Sequence, residues 1–232
     1  MKWINKIATI NQWASEISNR EQKEQIAIRV ASRAKDGDTI GVGSGSTAYL
    51  AVQEIGKRVQ QEKIAIIAIP TSIEVAMTCA LFGIPITTLV QSKPDWAFDG
   101  ADEVDKYNNL IKGRGGAMFF EKLVLSSSPE NYILVDDSKF VNSLGEKFPV
   151  PIEVYPSAVN LVETRLVSMG ATEVKLRLAK GKDGPIITES GNLILDTRFT
   201  KIELDFEKEI KAIPGVIENG LFIGYNINIV KA

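Results

Sequence analysis

The sequence predicts a three-layer α/β domain built on a parallel sheet, with a smaller α+β subdomain after it. Short apolar runs alternate with stretches of helical periodicity over the first two thirds of the chain, and each run stops at a Gly, Pro, Ser or Asp turn. Near Pro149-Val150-Pro151 the texture changes to helix, hairpin, helix and strand. The expected division is 1–150 for the first domain, rejoined by a carboxyl-terminal strand at 221–232, with 151–220 as the small subdomain.

From Glu21 to Lys35, Ile26, Val30, Ala31 and Ala34 recur at helix spacing until Asp36-Gly37-Asp38 ends the pattern. Thr39–Val42 reads as a buried strand, Ser46–Val59 as a helix and Ile64–Ile69 as a second strand closed by Pro70. Thr71-Ser72 caps a helix in which Ile73, Ala76, Met77, Ala80 and Leu81 form one apolar stripe. Strands at Ile86–Leu89 and Trp96–Asp99 follow, then a helix after Gly116 and a strand at Tyr132–Val135. In the second part Val159–Met169 and Ile202–Ile210 read as helices, and Glu173–Leu178, Asn192–Asp196 and Val216–Phe222 as strands. Gly181–Gly184 is a turn.

The chain has 232 residues, 44% hydrophobic and 24% charged, with a net charge of −2. That balance gives no electrostatic reason to expect nucleic acid or an anionic membrane as partner, so a bound phosphate must be held locally. No apolar run approaches the roughly 20 residues that cross a bilayer. Residues 1–19 are broken by Asn, Gln and Ser and show no signal-peptide core, so a cytoplasmic protein is expected. Cys79 is the only cysteine, which excludes an internal disulfide. Histidine is absent altogether. Triads, Cys–His pairs and histidine-based zinc sites are thereby excluded, and any proton carrier must be Asp, Glu, Lys or Tyr.

Four stretches could carry chemistry. GVGSGSTA (Gly41–Ala48) joins a strand to a helix start, where turned amides and the hydroxyls of Ser44, Ser46 and Thr47 suit a phosphate. A packing turn is the rival reading. The loop lacks the Gly-Lys-Ser/Thr of a Walker motif, and the second strand has no terminal acid to hold a dinucleotide ribose. DGADEVD (Asp99–Asp105) places four carboxylates in seven residues after a strand. Asp99 and Asp102 fall where α/β sheets bind ligands, while Glu103 and Asp105 read as turn or surface groups. Lys112 and Arg114 nearby oppose a metal cation.

LIKGRGGAMFFEKLV (Leu110–Val124) runs from a strand through a glycine turn into a helix on which Glu121 shares a face with Ala117, Val124 and Leu125. A lone carboxylate on an apolar face is either a salt-bridged structural group or a desolvated base. Lys122, about 100° around the helix, should point away. LVDDSK (Leu134–Lys139) ends a strand with Lys139, either a solvated turn residue or a ligand for phosphate or hydroxyl. Cys79 falls in the Thr71–Phe82 helix and reads as core, because no histidine exists to activate it. Trp3, Trp13 and Trp96 read as packing.

Taken in order, GVGSGSTA, IPTS, FDGADEVD, IKGRGGAMFFEK, LVDDSK and IPGVIENGLF resemble the A-type ribose-5-phosphate isomerases from about Glu21 to Phe222. The resemblance implies a Rossmann-like domain with a smaller α+β domain, and a homodimer or homotetramer that works without metal or cofactor. It implies an aldose–ketose isomerase interconverting ribose 5-phosphate and ribulose 5-phosphate through an enediolate. Carried over by residue, it makes Glu121 the base, Asp99 and Asp102 the active-site aspartates with Gly100 and Ala101 between them, and Lys112 the active-site lysine. The substrate loop falls on Ser44, Gly45, Ser46 and Thr47, the glycine turn on Gly113, Arg114 and Gly115, and further substrate lysines on Lys139 and Lys23. Two residues depart from the usual pattern: Ser44 replaces Thr, and Arg114 replaces Gly, a costly change if that position needs φ > 0. The competing functions are a non-catalytic sugar-phosphate sensor and an acyl-CoA transferase-like protein of the same fold. A sensor needs a winged helix-turn-helix in front of the Gly41 loop, where at most one helix is read. The DGADE and KGxGG strings favour the isomerase over the transferase.

Overall fold

The structure, a computed structural model, describes Trp13 and residues 16–232. Trp3 and most of the amino-terminal stretch lie outside the described residues. In chain order the elements are α1 (Arg20–Ala31), β1 (Thr39–Val42), α2 (Ser46–Glu62), β2 (Ile67–Pro70), α3 (Ile73–Leu81), β3 (Trp96–Gly100), β4 (Glu103–Val104) and β5 (Leu110–Ile111). They continue with α4 (Met118–Ser127), β6 (Asn131–Leu134), β7 (Val150–Val154), α5 (Val159–Ser168), β8 (Ala171–Leu176), β9 (Leu193–Phe199), α6 (Phe206–Lys211), β10 (Val216–Asn219), β11 (Leu221–Phe222) and β12 (Asn228–Val230). They gather into two compact units. The first comprises the chain up to Gly100, Phe120–Ser138 and Asn226–Ala232; the second comprises Ala101–Phe119 and Lys139–Tyr225. Segments 101–119 and 139–150, expected in the first domain, thus cluster with the second unit. Of the expected carboxyl-terminal segment 221–232, β12 joins the first unit's sheet, whereas β11 pairs with β5 in the second.

The first unit is built on a five-stranded sheet in the order β12-β6-β3-β1-β2, parallel throughout. Its inner strands are buried on both faces, which is why they read as unbroken apolar runs. Ile26 and Val30 of α1, Leu50 and Ile55 of α2, and Val75 and Cys79 of α3 share one core with Ile40, Phe98 and Leu134 of the sheet. Val124 of α4 packs with Ala97 and Ile69 in a separate cluster. From β1 the chain runs to β2 on one side and then to β3 on the other. That reversal leaves a crevice at the carboxyl ends of β1 and β3, where such sheets bind ligands.

The second unit holds a four-stranded antiparallel sheet, β10-β7-β9-β8, and a three-stranded one, β11-β5-β4. Ile152 and Val154, Val162 and Leu166 of α5, and Ile210 of α6 form its core.

Several elements differ from expectation. α1 stops at Ala31 instead of Lys35, because Arg33 and Ala34 donate back only three residues and tighten the end into a turn. β2 begins at Ile67, where its partner β1 begins, and Ile86–Leu89 contributes a single bridge to Ala68 in place of a strand. In α3 the Ser72 hydroxyl accepts from Val75 N at 3.1 Å, and the buried side is Val75, Thr78 and Cys79. Ile73, expected in the stripe, is 62% exposed. α6 starts at Phe206 rather than Ile202, preceded by turns.

The single strand expected over Val216–Phe222 is broken at Gly220, and its halves join different sheets. Gly220 N donates to Pro151 O at 2.7 Å and Gly220 O accepts from Lys112 N at 2.9 Å. A Cβ there would lie 2.2 Å from Lys112 O and 2.6 Å from Pro151 Cγ, so only glycine admits the approach. Gly220→Ala should therefore lose about 1–3 kcal/mol, as an overpacked site does. Denaturant unfolding checks this; an unchanged midpoint would show that the two strands can separate at no cost.

Candidate active site

In the first unit the loop after β1 and the end of β3 interlock. Gly43 N continues the ladder to Phe98 O at 2.8 Å, and Ser44 N then donates to Asp99 Oδ1 at 3.0 Å. Gly100 N donates to the same oxygen at 2.7 Å. A Cβ on Gly43 would fall 2.0 Å from Asp99 Cγ, which is why the loop needs glycine there. Gly45 adopts φ +94° and opens α2, a second position that only glycine fills cheaply. Ser46 and Thr47 begin the helix, whose first amides have no intrahelical acceptor. Thr71 ties the end of β2 to Val42 O through both its amide and its hydroxyl.

Glu121 is 4% exposed on the first turn of α4, and Ser44 Oγ donates to its Oε1 at 2.6 Å. Ser44, Asp99 and Glu121 are thus joined through one residue. A small pocket opens there, its lining including Thr71, Asp99, Glu121, Val124 and Asn131. Lys122, expected to face away, is also buried. α4 meets solvent only along a narrow strip that includes Leu123 and Ser126, so positions 121 and 122 are both covered.

Lys23 of α1 is 4% exposed, with Nζ 3.3 Å from Ser18 Oγ and 3.7 Å from Asp136 Oδ2. Burial pushes the Asp136 carboxyl up, but Ser138 Oγ and N, Asn19 Nδ2 and the Lys23 charge together hold it below the usual carboxylate range. Cys79 is fully buried, and burial, with Glu74 nearby, pushes its thiol up to about 12, as fits a core residue. Trp13 stacks on Tyr49 at 5.1 Å, and Trp96 packs against Phe98 and Tyr132 while donating to Asp38.

In the second unit, Asp102 follows Ala101 in the half-buried approach to β4, and its Oδ2 accepts from Arg114 N at 3.1 Å. Lys112 is 2% exposed, its Nζ 5.6 Å from the centre of the Phe222 ring. In the turn after it, φ is positive at Gly113 and Gly116 but not at Arg114 or Gly115. Arg114 therefore costs no backbone strain; its exposed side chain sets Cζ 5.8 Å from the Phe148 ring centre, where Lys139 Nζ also lies at 5.6 Å. Asp105 is the turn group expected, accepting from Tyr107 N and Asn109 N. Glu103, expected as a turn or surface group, is fully buried: its oxygens accept from Gly145, Lys147 and Phe148 amides at 2.7, 2.6 and 2.6 Å, which replaces its hydration. Arg177 was not singled out in the sequence, yet it binds the carbonyls of Gly113 and Arg114. Only the fold brings it there.

Among the described residues no three acids or cysteines converge as metal ligands, and no helix is long and apolar enough to cross a membrane. A buried carboxylate, a hydroxyl-rich helix start and a parallel sheet with a switch point define the class: an α/β enzyme site for a small anionic substrate. The profile of the family "Ribose 5-phosphate isomerase A (phosphoriboisomerase A)" matches residues 67–232. Ribose-5-phosphate isomerase A of Methanocaldococcus jannaschii is 46% identical over 209 residues, 89% of this chain and 92% of its own. That of Methanothermobacter thermautotrophicus is 44% identical over 204 residues, 87% and 89% of the two chains. The solved structure of the M. jannaschii enzyme superposes with a TM-score of 0.88 at 44% identity, covering 92% of this chain and 96% of that one. A D-ribose-5-phosphate isomerase in complex with phospho-erythronic acid superposes with a TM-score of 0.87 at 39% identity, covering 91% and 94%. The chain belongs to the ribose 5-phosphate isomerase A family.

The Asp136 cluster has a measurable signature. Folding lowers that carboxyl's pKa, so the folded state takes up its proton less readily than the unfolded chain. The resulting stability is complete above the unfolded value of about 3.9 and is lost as pH falls through the lower folded one. Asp136→Asn should melt below the native protein at pH 7, and the gap should narrow as pH falls below about 4. Melts across that range check it; a gap independent of pH would mean that the charge contributes nothing.

Proposed function

We propose that Glu121 is the base of the aldose–ketose isomerisation and that Asp99, Asp102 and Lys112 serve it. The reaction itself, interconversion of ribose 5-phosphate and ribulose 5-phosphate, follows from the family. The observation that carries the assignment is the buried Glu121 carboxylate hydrogen-bonded to the loop that also binds Asp99. In the open aldose, Glu121 takes the proton from C2, the C–H pair forms the C1–C2 double bond, and charge moves onto the former carbonyl oxygen. The same carboxyl returns the proton to C1 while the O2 hydroxyl proton passes to O1, so that the C2 oxygen becomes the ketone and C1 carries the new hydroxyl. Lys112 offsets the enediolate charge, the kind of preorganised electrostatics worth about 3–4 kcal/mol per donor in other enzymes. Asp99 exchanges a proton with the ring hydroxyl during opening, and Asp102 orients hydroxyls.

Gly45, Ser46 and Thr47 at the start of α2 bind the phosphate, with Lys139 and Lys23 as cationic ligands and Gly100, Ala101, Gly113, Arg114 and Gly115 as backbone contacts. Phospho-erythronic acid, the ligand of the relative, supports this reading. It pairs a sugar phosphate chain with a planar carboxylate, which is how an enediolate presents its charge. We further propose a cytoplasmic, metal-free homo-oligomer. Large apolar side chains exposed at Leu176, Leu178 and Ile187, on and beside the edge strand β8, support self-association.

Glu121→Gln keeps the size and the hydrogen bond but accepts no proton. Its kcat should fall at least about 10²–10⁴-fold while substrate affinity changes little. Steady-state kinetics with ribose 5-phosphate, alongside binding of phospho-erythronic acid, tests this; near-native turnover by the folded variant would shift the role to Asp99 or Asp102. Exhaustive EDTA treatment should leave activity intact. Activity lost to EDTA and restored by a divalent ion would overturn the metal-free reading.

A further inference from the structure

Arg177 follows β8 and is anchored at both root and tip. Its amide donates to Ile194 O and its carbonyl accepts from Ile186 N, both at 2.9 Å. Nε donates to Asp196 Oδ2 at 2.8 Å, and Nη2 completes a fork to Asp196 Oδ1. Nη1 donates to Gly113 O at 3.1 Å and Arg114 O at 2.8 Å. A lysine has no planar fork with which to make these four contacts together.

The peptide between Gly113 and Arg114 is gripped from opposite ends. Its carbonyl takes Arg177, and its N–H is the one that Asp102 Oδ2 accepts at 3.1 Å. A trans peptide is one rigid plane, so fixing the carbonyl fixes the direction of the N–H and with it the carboxylate it holds. The two tethers of Lys112 also meet. Its amide is bound to Gly220 O, and Gly220 N to Pro151 O; the turn after it is bound through Arg177 to Asp196. Pro151 and Asp196 are directly opposed on β7 and β9. One rung of the four-stranded sheet therefore holds Lys112 from before and behind.

We propose that Arg177 is a positioning residue for the isomerisation, acting through the 113–114 peptide to orient Asp102 and Lys112. The proposal rests on the reading that those two residues serve the reaction. Because it acts on geometry and not on binding, its loss should fall on kcat. Arg177→Met in the full chain should lose about 100-fold in kcat, as a misplacement of about 1 Å can cause, with KM within about threefold of native. In Arg177→Ala, guanidinium ion at low millimolar concentration should restore part of kcat, and methylammonium at equal ionic strength should not. Native kcat in a folded Arg177→Met, or equal effects of the two cations, would overturn the proposal. If Arg177→Met fails to fold, Asp196→Asn decides. It loosens the fork, so a lowered kcat with an unchanged melting temperature supports the role, and a native kcat refutes it. Lys112→Ala separates the two readings. If it retains native kcat, the assignment of Lys112 fails; if it is inactive while Arg177→Met is not, only the positioning role fails.

Discussion

The first unit depends on the contact between Gly43 and Asp99. With no Cβ at position 43, the backbone after β1 lies against the Asp99 side chain, and one carboxylate oxygen collects the amides of Ser44 and Gly100. This happens at the strand pair where the sheet reverses its winding order. The amide bonds put Asp99 where the β1 loop turns into α2 and set Ser44 so that its hydroxyl reaches Glu121. A side chain at position 43 would push the loop, Asp99 and Glu121 apart together.

Carboxylates show how environment assigns roles to one functional group. Glu103 spends both oxygens on three backbone amides and is a structural fixture. Asp136 is held ionised by hydroxyl, amide and ammonium donors against the cost of burial. Asp105 binds only its own turn. Glu121 is buried with a hydroxyl donor, a setting from which a carboxylate can exchange a proton with a bound substrate. In a chain without histidine, the proposed proton chemistry falls to acids differentiated in this way.

The second unit works by tethering. Lys112 sits between two hydrogen-bonded paths to the same rung of a sheet, and the turn that follows it is locked at its carbonyls by Arg177 and at an amide by Asp102. Rigid backbone on a sheet is a more precise support than a free loop, which suits the charge-offsetting role proposed for Lys112.

The sequence by itself determined the parallel sheet, the strands at Thr39–Val42 and Trp96–Asp99, the glycine loop and the placing of Glu121 on an apolar helix face. Each of these is written in a local pattern: unbroken apolar runs, a glycine turn before a helix, and one acid on an apolar helix face. The motifs also sufficed to indicate the family. Tertiary structure decided what local pattern cannot encode. The buried side of α3 is Val75, Thr78 and Cys79 and excludes Ile73, because packing against the sheet and neighbouring helices decides which face is covered. The burial of Glu103 depends on amides more than forty residues away, and the break at Gly220 on the carbonyls of Lys112 and Pro151. Arg177 looks like any strand-end arginine until antiparallel pairing brings Asp196 and the glycine turn to it. A hydrogen bond between residues far apart in sequence leaves no periodicity to read, so such partners appear only when the fold has closed.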